Sequence, residues 1–157
     1  MSCEEEKNSI GTVSNARSAE QAEHMRDLAR RGVCPFCTIG PLNSVLWSGE
    51  HWRMWANPFP YRFHQHHFVI ASILHWVGIE EITPAAWAEW GMLNALTIRE
   101  RKIQGGGLVM RFGDSKLSGA SLLHVHSHLQ VPDQRGPAIT VFFKDSLLDA
   151  FLKSLPK

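Results

Sequence analysis

The sequence predicts an α+β domain built on an antiparallel sheet. Three observations predict it. Short strand-like runs follow one another through tight turns, which suits antiparallel pairing. Two longer segments carry helix start and stop signals. The 157 residues suit one domain, large enough to hold a core without staples. Apolar residues make up 44% and charged residues 20%, ordinary for a globular chain. Sixteen Lys and Arg against fifteen Asp and Glu give a net charge of +1. That balance argues against a protein that coats nucleic acid or a membrane surface. Nine histidines and six tryptophans are the unusual counts.

Residues 1–16 are polar and aperiodic and read as a flexible tail, leaving 17–157 as the single domain. The opening Met1-Ser2-Cys3-Glu4-Glu5-Glu6 is acidic, where a secretory signal is basic and then apolar. No run approaches the ~18 apolar residues of a membrane span. The three cysteines are odd in number, in a chain that does not need disulfides. We therefore expect a reduced, cytoplasmic protein. Ser18-Ala19-Glu20-Gln21 is a capping box opening a helix, and Gly32 stands where a C-terminal glycine should. Cys34-Pro35-Phe36-Cys37 follows in a turn-rich stretch. Residues 44–48 and 51–56 read as a hairpin about Gly49-Glu50, and 66–72 as another strand. Thr83-Pro84 is an N-cap followed by proline at the first helical position. The helix it opens reaches about Lys102, with Trp87, Trp90, Leu93 and Leu96 at the spacing of a buried face. Gly105-Gly106-Gly107 ends it. Residues 108–112 and 122–131 are expected strands, 139–143 a further one, and 146–155 a closing helix.

The segment Leu123-His124-Val125-His126-Ser127-His128-Leu129 is the most informative in the chain. On a strand, His124, His126 and His128 share one face. An imidazole titrates near neutrality and serves as nucleophile, acid, base or metal ligand. A solvated polar face is the bland reading of such a row. His-x-His on a strand also suits a metal-dependent hydrolase with all three as ligands. Alternatively, a neutral imidazole attacks phosphorus and forms an adduct that water cleaves. Cys34 and Cys37 likewise read as a redox pair, as two unlinked cysteines, or as half of a structural zinc site. The pair follows a helix C-terminus, which disfavours redox chemistry, since a helix N-terminus is what lowers a thiol pKa.

His124-Val125-His126-Ser127-His128-Leu129 resembles the signature of the histidine triad (HIT) family of nucleotide hydrolases and transferases. Ser118-Gly119-Ala120-Ser121 resembles that family's Ala-Gly-Gln-Ser segment. Asn57-Pro58-Phe59-Pro60-Tyr61 with His66-His67-Phe68-Val69-Ile70 resembles the ribose-side motif of its diadenosine-tetraphosphate phosphorylase and related bacterial branches. Cys34-Pro35-Phe36-Cys37 resembles the Cys-x-x-Cys of zinc-carrying members. The resemblance spans about residues 34–132. It implies an antiparallel sheet meander with two main helices, paired as a homodimer. It implies attack on the α-phosphate of a nucleoside phosphoramidate or dinucleoside polyphosphate, with a nucleotidyl-histidine intermediate. His126 would be the nucleophile. His128 would contact phosphate or assist the leaving group, and His66 would hydrogen-bond within the cluster. Ser121 would bond the phosphate or leaving group. Gly119 and Ala120 would lie against the anion, and Asn57 would bind ribose. Cys34, Cys37, His75 and His124 would hold a structural zinc, and the chemistry itself would need no cofactor. The partner is a small nucleotide, with no nucleic-acid polymer and no membrane. A nucleotide-binding or signalling module with little turnover, and a nucleotidyltransferase, are the other classes that the motif allows.

Overall fold

The structure is a computed structural model that describes residues 11, 13–16, 18–40, 43–140, 151 and 154. A short 3-10 turn, Val13–Asn15, precedes helix α1, Ala19–Arg31. The Ser18 hydroxyl accepts from Gln21 N–H at 3.0 Å, and Gly32 ends the helix at φ 62°. The Gly32 and Val33 N–H groups then return to the Ala29 and Leu28 carbonyls, the left-handed stop that glycine makes without a Cβ clash. Strands β1 (Val45–Ser48), β2 (Trp52–Ala56) and β3 (His64–Ser72) form an antiparallel meander. Helix α2, Pro84–Glu100, follows, capped by Thr83 Oγ1 on Ala86 N–H at 3.2 Å. Strand β4 (Gly107–Arg111), the one-turn helix α3 (Ser115–Ser118) and strand β5 (His126–Pro132) complete the described elements.

The sheet order is β1-β2-β3-β5-β4, antiparallel throughout. Thus β5 fills the gap between β3 and β4. This places the last strand in the middle of the sheet, paired on both sides. Trp52, Met54, Phe68, Ile70 and Leu129 face α2 and join Ala86, Leu93, Trp76 and Val125 in the main core. Trp52 Nε1 donates to the Ala86 carbonyl at 2.7 Å, and Trp90 Nε1 donates to Ser127 Oγ at 2.8 Å. These bonds fasten α2 to β2 and β5 and satisfy two indole donors on partly or fully buried rings. The other face carries Trp55, Val69 and Ala71, packed by Phe36.

Three expectations need adjusting, and a fourth falls mostly outside the described residues. The strand expected over 122–131 begins only at His126, because β3 ends at Ser72 and the ladder runs out there. Part of the stretch read as a tail is held: Asn15 is buried and donates to the Ser115 and Ala120 carbonyls at 2.9 Å each. Of the strand expected over 139–143, only Ile139 and Thr140 are described, and neither is in a strand. Of the closing helix expected over 146–155, only Phe151 and Ser154 lie within the described residues.

Candidate active site and metal cluster

Strand alternation decides which side chains meet on the face away from α2. His126 and His128 project there from β5, while Ser127 and Leu129 face the helix. The two imidazole centroids are 5.1 Å apart. They line a cavity walled by Met25 and Leu28 of α1, Trp55 of β2, Arg111 of β4, and the loop residues Phe36, Asn57, Gly119 and Ser121.

His126 is buried, and its Nδ1 lies 2.7 Å from the His124 carbonyl oxygen. A carbonyl only accepts, so Nδ1 carries the proton and Nε2 keeps the lone pair. Burial above all, helped by the nearby Arg111 charge, pushes the His126 pKa down to about 4. The ring is therefore neutral at pH 7, with a nucleophilic nitrogen.

His128 is set by a second chain of bonds. The Tyr61 N–H donates to His67 Nδ1 at 3.1 Å. In neutral His67 the proton then sits on Nε2, 2.9 Å from His128 Nδ1. His128 must accept at Nδ1 and carry its own proton on Nε2. Asn57 stands beside this pair. Its Oδ1 accepts from Phe59 N–H at 2.9 Å, and its Nδ2, a donor, lies 3.4 Å from the His67 Nδ1 lone pair.

The expectation for His66 is corrected here. His66 stacks on Phe68, centroids 5.7 Å apart, on the α2 side of the sheet, and lines a groove with Arg101 and Lys102. His67 takes the place in the cluster. A register shift between His64 and His66 precedes it, and both faces of Phe68-Val69-Ile70-Ala71 are apolar. The parity of this strand was therefore not readable from its own residues. Gly119 and Ser121 line the cavity, whereas Ala120 is buried and not among the lining residues. The N–H groups of Gly119 and Ala120 point to Ser115 O (3.0 Å) and Ser118 Oγ (3.3 Å). The loop thus spends on itself two donors expected to face an anion. Sequence reasoning also passed over Arg111, although a single Arg inside the apolar run Leu108-Val109-Met110-Arg111-Phe112 was a visible signal.

His124 stands just before β5 and belongs to a different group. Cys34, Cys37, His75 and His124 bring four ligand atoms within 4.8 Å of one another. Cys34 Sγ is 3.4 Å from His124 Nδ1, and Cys37 Sγ is 3.1 Å from His75 Nδ1. His124 Nε2 lies 2.8 Å from the Ser72 carbonyl, which fixes its proton there and turns the Nδ1 lone pair to the sulfurs. Hydrogen bonding from the Cys37 thiol, then from His124 and His75, holds the Cys34 thiol far below its ordinary range despite burial. Cys34 and Cys37 are free of any disulfide. Two thiols and two imidazoles converging with the lone pairs inward are a donor set able to hold a tetrahedral metal ion. Among the described residues, no helix is long and apolar enough to cross a membrane.

No protein-family model matches the sequence, and no curated protein does. Solved structures do match. A HIT family hydrolase from Clostridium thermocellum superposes with a TM-score of 0.56 at 21% identity, over 68% of this chain and 96% of its own. A zinc-bound histidine triad family protein from Mycobacterium smegmatis gives 0.53 at 20%, over 76% and 93%. A histidine triad nucleotide-binding protein from Candida albicans gives 0.53 at 17%, over 76% and 90%. At such identities the likeness is one of fold, and the α+β fold of this chain is the one that these histidine triad structures have.

Proposed function

We propose that this chain is a nucleotide hydrolase in which His126 attacks an α-phosphate. The observation that carries the reading is the state of His126: buried, neutral, Nδ1–H held by the His124 carbonyl, Nε2 left with its lone pair beside His128. In the first step the Nε2 pair forms a P–N bond as the bond from phosphorus to the leaving group breaks, and the leaving atom takes that electron pair. The ring becomes a nucleotidyl-imidazolium, and its Nδ1–H strengthens its bond to the carbonyl. His128, protonated on Nε2, donates to a phosphoryl or leaving-group oxygen. Water then attacks phosphorus and loses its proton to solvent. The P–N bond breaks, its electron pair returns to Nε2, and a nucleoside monophosphate leaves.

Ser121 and Gly119 are assigned to the phosphate wall and Asn57 to the ribose. The substrate class is a phosphoramidate or a dinucleoside polyphosphate, as in the diadenosine-tetraphosphate phosphorylase-like branches. Cys34, Cys37, His75 and His124 would hold a structural zinc. When bound, it supplies no chemistry to the substrate and fixes His124, whose carbonyl orients His126. The proposed assembly is a cytoplasmic homodimer. Strand β4, at the edge of the sheet among the described residues and with Leu108 exposed, supports an assembly through that edge. A binding module with little turnover is the second reading, favoured by the internal use of the Gly119 and Ala120 N–H groups.

One assay tests both. Wild type and His126→Ala are incubated with an adenosine phosphoramidate, diadenosine tetraphosphate and UDP-glucose, and products are separated by chromatography. Monophosphate release by wild type, reduced at least ~10³-fold in the variant, is expected for a nucleophile. Equal turnover would overturn the role of His126. Binding without turnover in either protein would favour the second reading.

A further inference from the structure

The stretch before α1 grips the loop that carries Ser121. Asn15 is 7% exposed, and its Nδ2 donates to the Ser115 and Ala120 carbonyls at 2.9 Å each. An amide nitrogen has two hydrogens, so one goes to each end of the one-turn helix α3. A second grip lies beside the first: the Gly11 N–H donates to the Ser121 carbonyl at 3.1 Å. The two segments are in close contact. A Cβ on Gly11 would stand 2.7 Å from Ser115 Cβ and 3.2 Å from the Ala120 carbonyl oxygen. Two consecutive peptides of the loop, Ala120-Ser121 and Ser121-Leu122, are therefore held by their oxygens.

A grip on the oxygen also aims the hydrogen. In a planar trans peptide the C=O of one residue and the N–H of the next point in opposite directions. The described residues contain no cis peptide bond. Asn15, holding the Ala120 carbonyl, thus turns the Ser121 N–H away from itself. Ser121 lines the cavity with His126 and His128, whereas neither Asn15 nor Ala120 is among the lining residues. The N–H groups of Gly119 and Ala120 bond within the loop, and that of Ser121 has no hydrogen-bond partner among the described residues. We infer that Asn15 is a positioning residue, which aims the Ser121 N–H at the anionic oxygens of a nucleotide's phosphate. Asn15 acts through the peptide and does not touch the ligand. Such a charge-assisted bond weakens steeply when its donor is misaligned. The inference rests on the hydrolase reading for the kind of ligand the cavity takes, but not for turnover.

The test titrates AMP and adenosine into wild type, Asn15→Ala and Gly11→Ala by calorimetry. The two ligands differ only in the phosphate. Wild type is expected to bind AMP more tightly than adenosine. Asn15→Ala is expected to weaken AMP by roughly 10- to 100-fold and adenosine by less than about twofold, as misalignment of one charged hydrogen bond predicts. Its kcat for diadenosine tetraphosphate is expected to fall by roughly 10²-fold, the scale of a lost oxyanion donor. Gly11→Ala keeps every group of Asn15 and is expected to move AMP affinity in the same direction by a smaller factor. A side chain that merely props the fold predicts equal losses for both ligands, in step with the melting temperature. Equal losses overturn the inference, as does a folded Asn15→Ala with unchanged AMP affinity. A wild type that binds AMP no more tightly than adenosine also overturns it. If Asn15→Ala does not melt cooperatively, the AMP-to-adenosine ratio of Gly11→Ala decides instead. If wild type turns over no nucleotide while that ratio still falls in the variants, the hydrolase reading fails and the inference stands.

Discussion

At the scale of single residues, two adjacent histidines divide structure from chemistry. His67 fixes the His128 tautomer through the 2.9 Å bond, and His66 lies across the sheet against Phe68. His67→Gln is therefore expected to lower kcat by roughly 10²- to 10⁴-fold, the scale of a mispositioned proton donor. His66→Gln is expected to change it less than about twofold, since partly exposed side chains away from a site rarely matter. Steady-state kinetics of the two variants decide, and a larger loss from His66→Gln would reverse the assignment. The triad motif was legible by its spacing alone, but which of three neighbouring histidines joins it was not. The same scale carries a pH prediction. His126 is neutral in the folded chain down to about pH 4, but once unfolded it takes up a proton below its ordinary value of 6.5. Above pH 6.5 both states are neutral and the group contributes nothing to pH dependence. Between 6.5 and 4 the unfolded state binds more protons, so stability falls by up to ~3 kcal/mol as pH drops. Below pH 4 the contribution levels off. Urea melts of wild type and His126→Asn from pH 7 to 4 isolate the term, because the other titrating groups are common to both. Parallel curves would contradict it.

At the scale of elements, what was legible was what local chemistry decides. The Ser18 cap, the Gly32 stop and the Thr83-Pro84 start act within a few residues, and the helices begin and end where those signals stand. The Gly49-Glu50 turn likewise marks the β1–β2 hairpin. What was not legible depends on partners far along the chain. The β5 strand starts at His126 because β3 ends at Ser72, and neither limit is written in residues 122–126. That late start has a consequence. The Val125 N–H donates to Trp76 O at 2.6 Å while its carbonyl still accepts from Ser72 N–H at 3.2 Å, and His124 leaves the strand face and joins the cysteines. A row of three histidines becomes one residue of the Cys-His cluster and two cavity residues. Helix α1 is similar. Its capping box and terminal glycine told of a helix, but not that Met25 and Leu28 would wall the cavity rather than join the core under α2.

At the scale of the whole molecule, the Cys-His cluster brings distant segments together beside the cavity. Cys34 and Cys37 follow α1, His75 follows β3, and His124 precedes β5. One ion on these four residues would cross-link three stretches of chain and clamp the loop whose carbonyl holds His126. Removal of such an ion is expected to lower stability by at least ~3 kcal/mol, since a ligand bound only by the folded state stabilises it by mass action. The purified chain is expected to contain about one zinc per protomer by elemental analysis, and chelation to lower its melting temperature. Activity should then decline in step with the loss of folded protein and return when zinc is added back. A metal acting on substrate through His124, His126 and His128 predicts the opposite order: activity gone at once, with the melting curve unmoved. His75→Ala separates the two, because His75 belongs to the Cys-His cluster and to none of the three histidines of that alternative. A variant that loses zinc and stability together supports the structural site; one that keeps full zinc content would remove His75 from it.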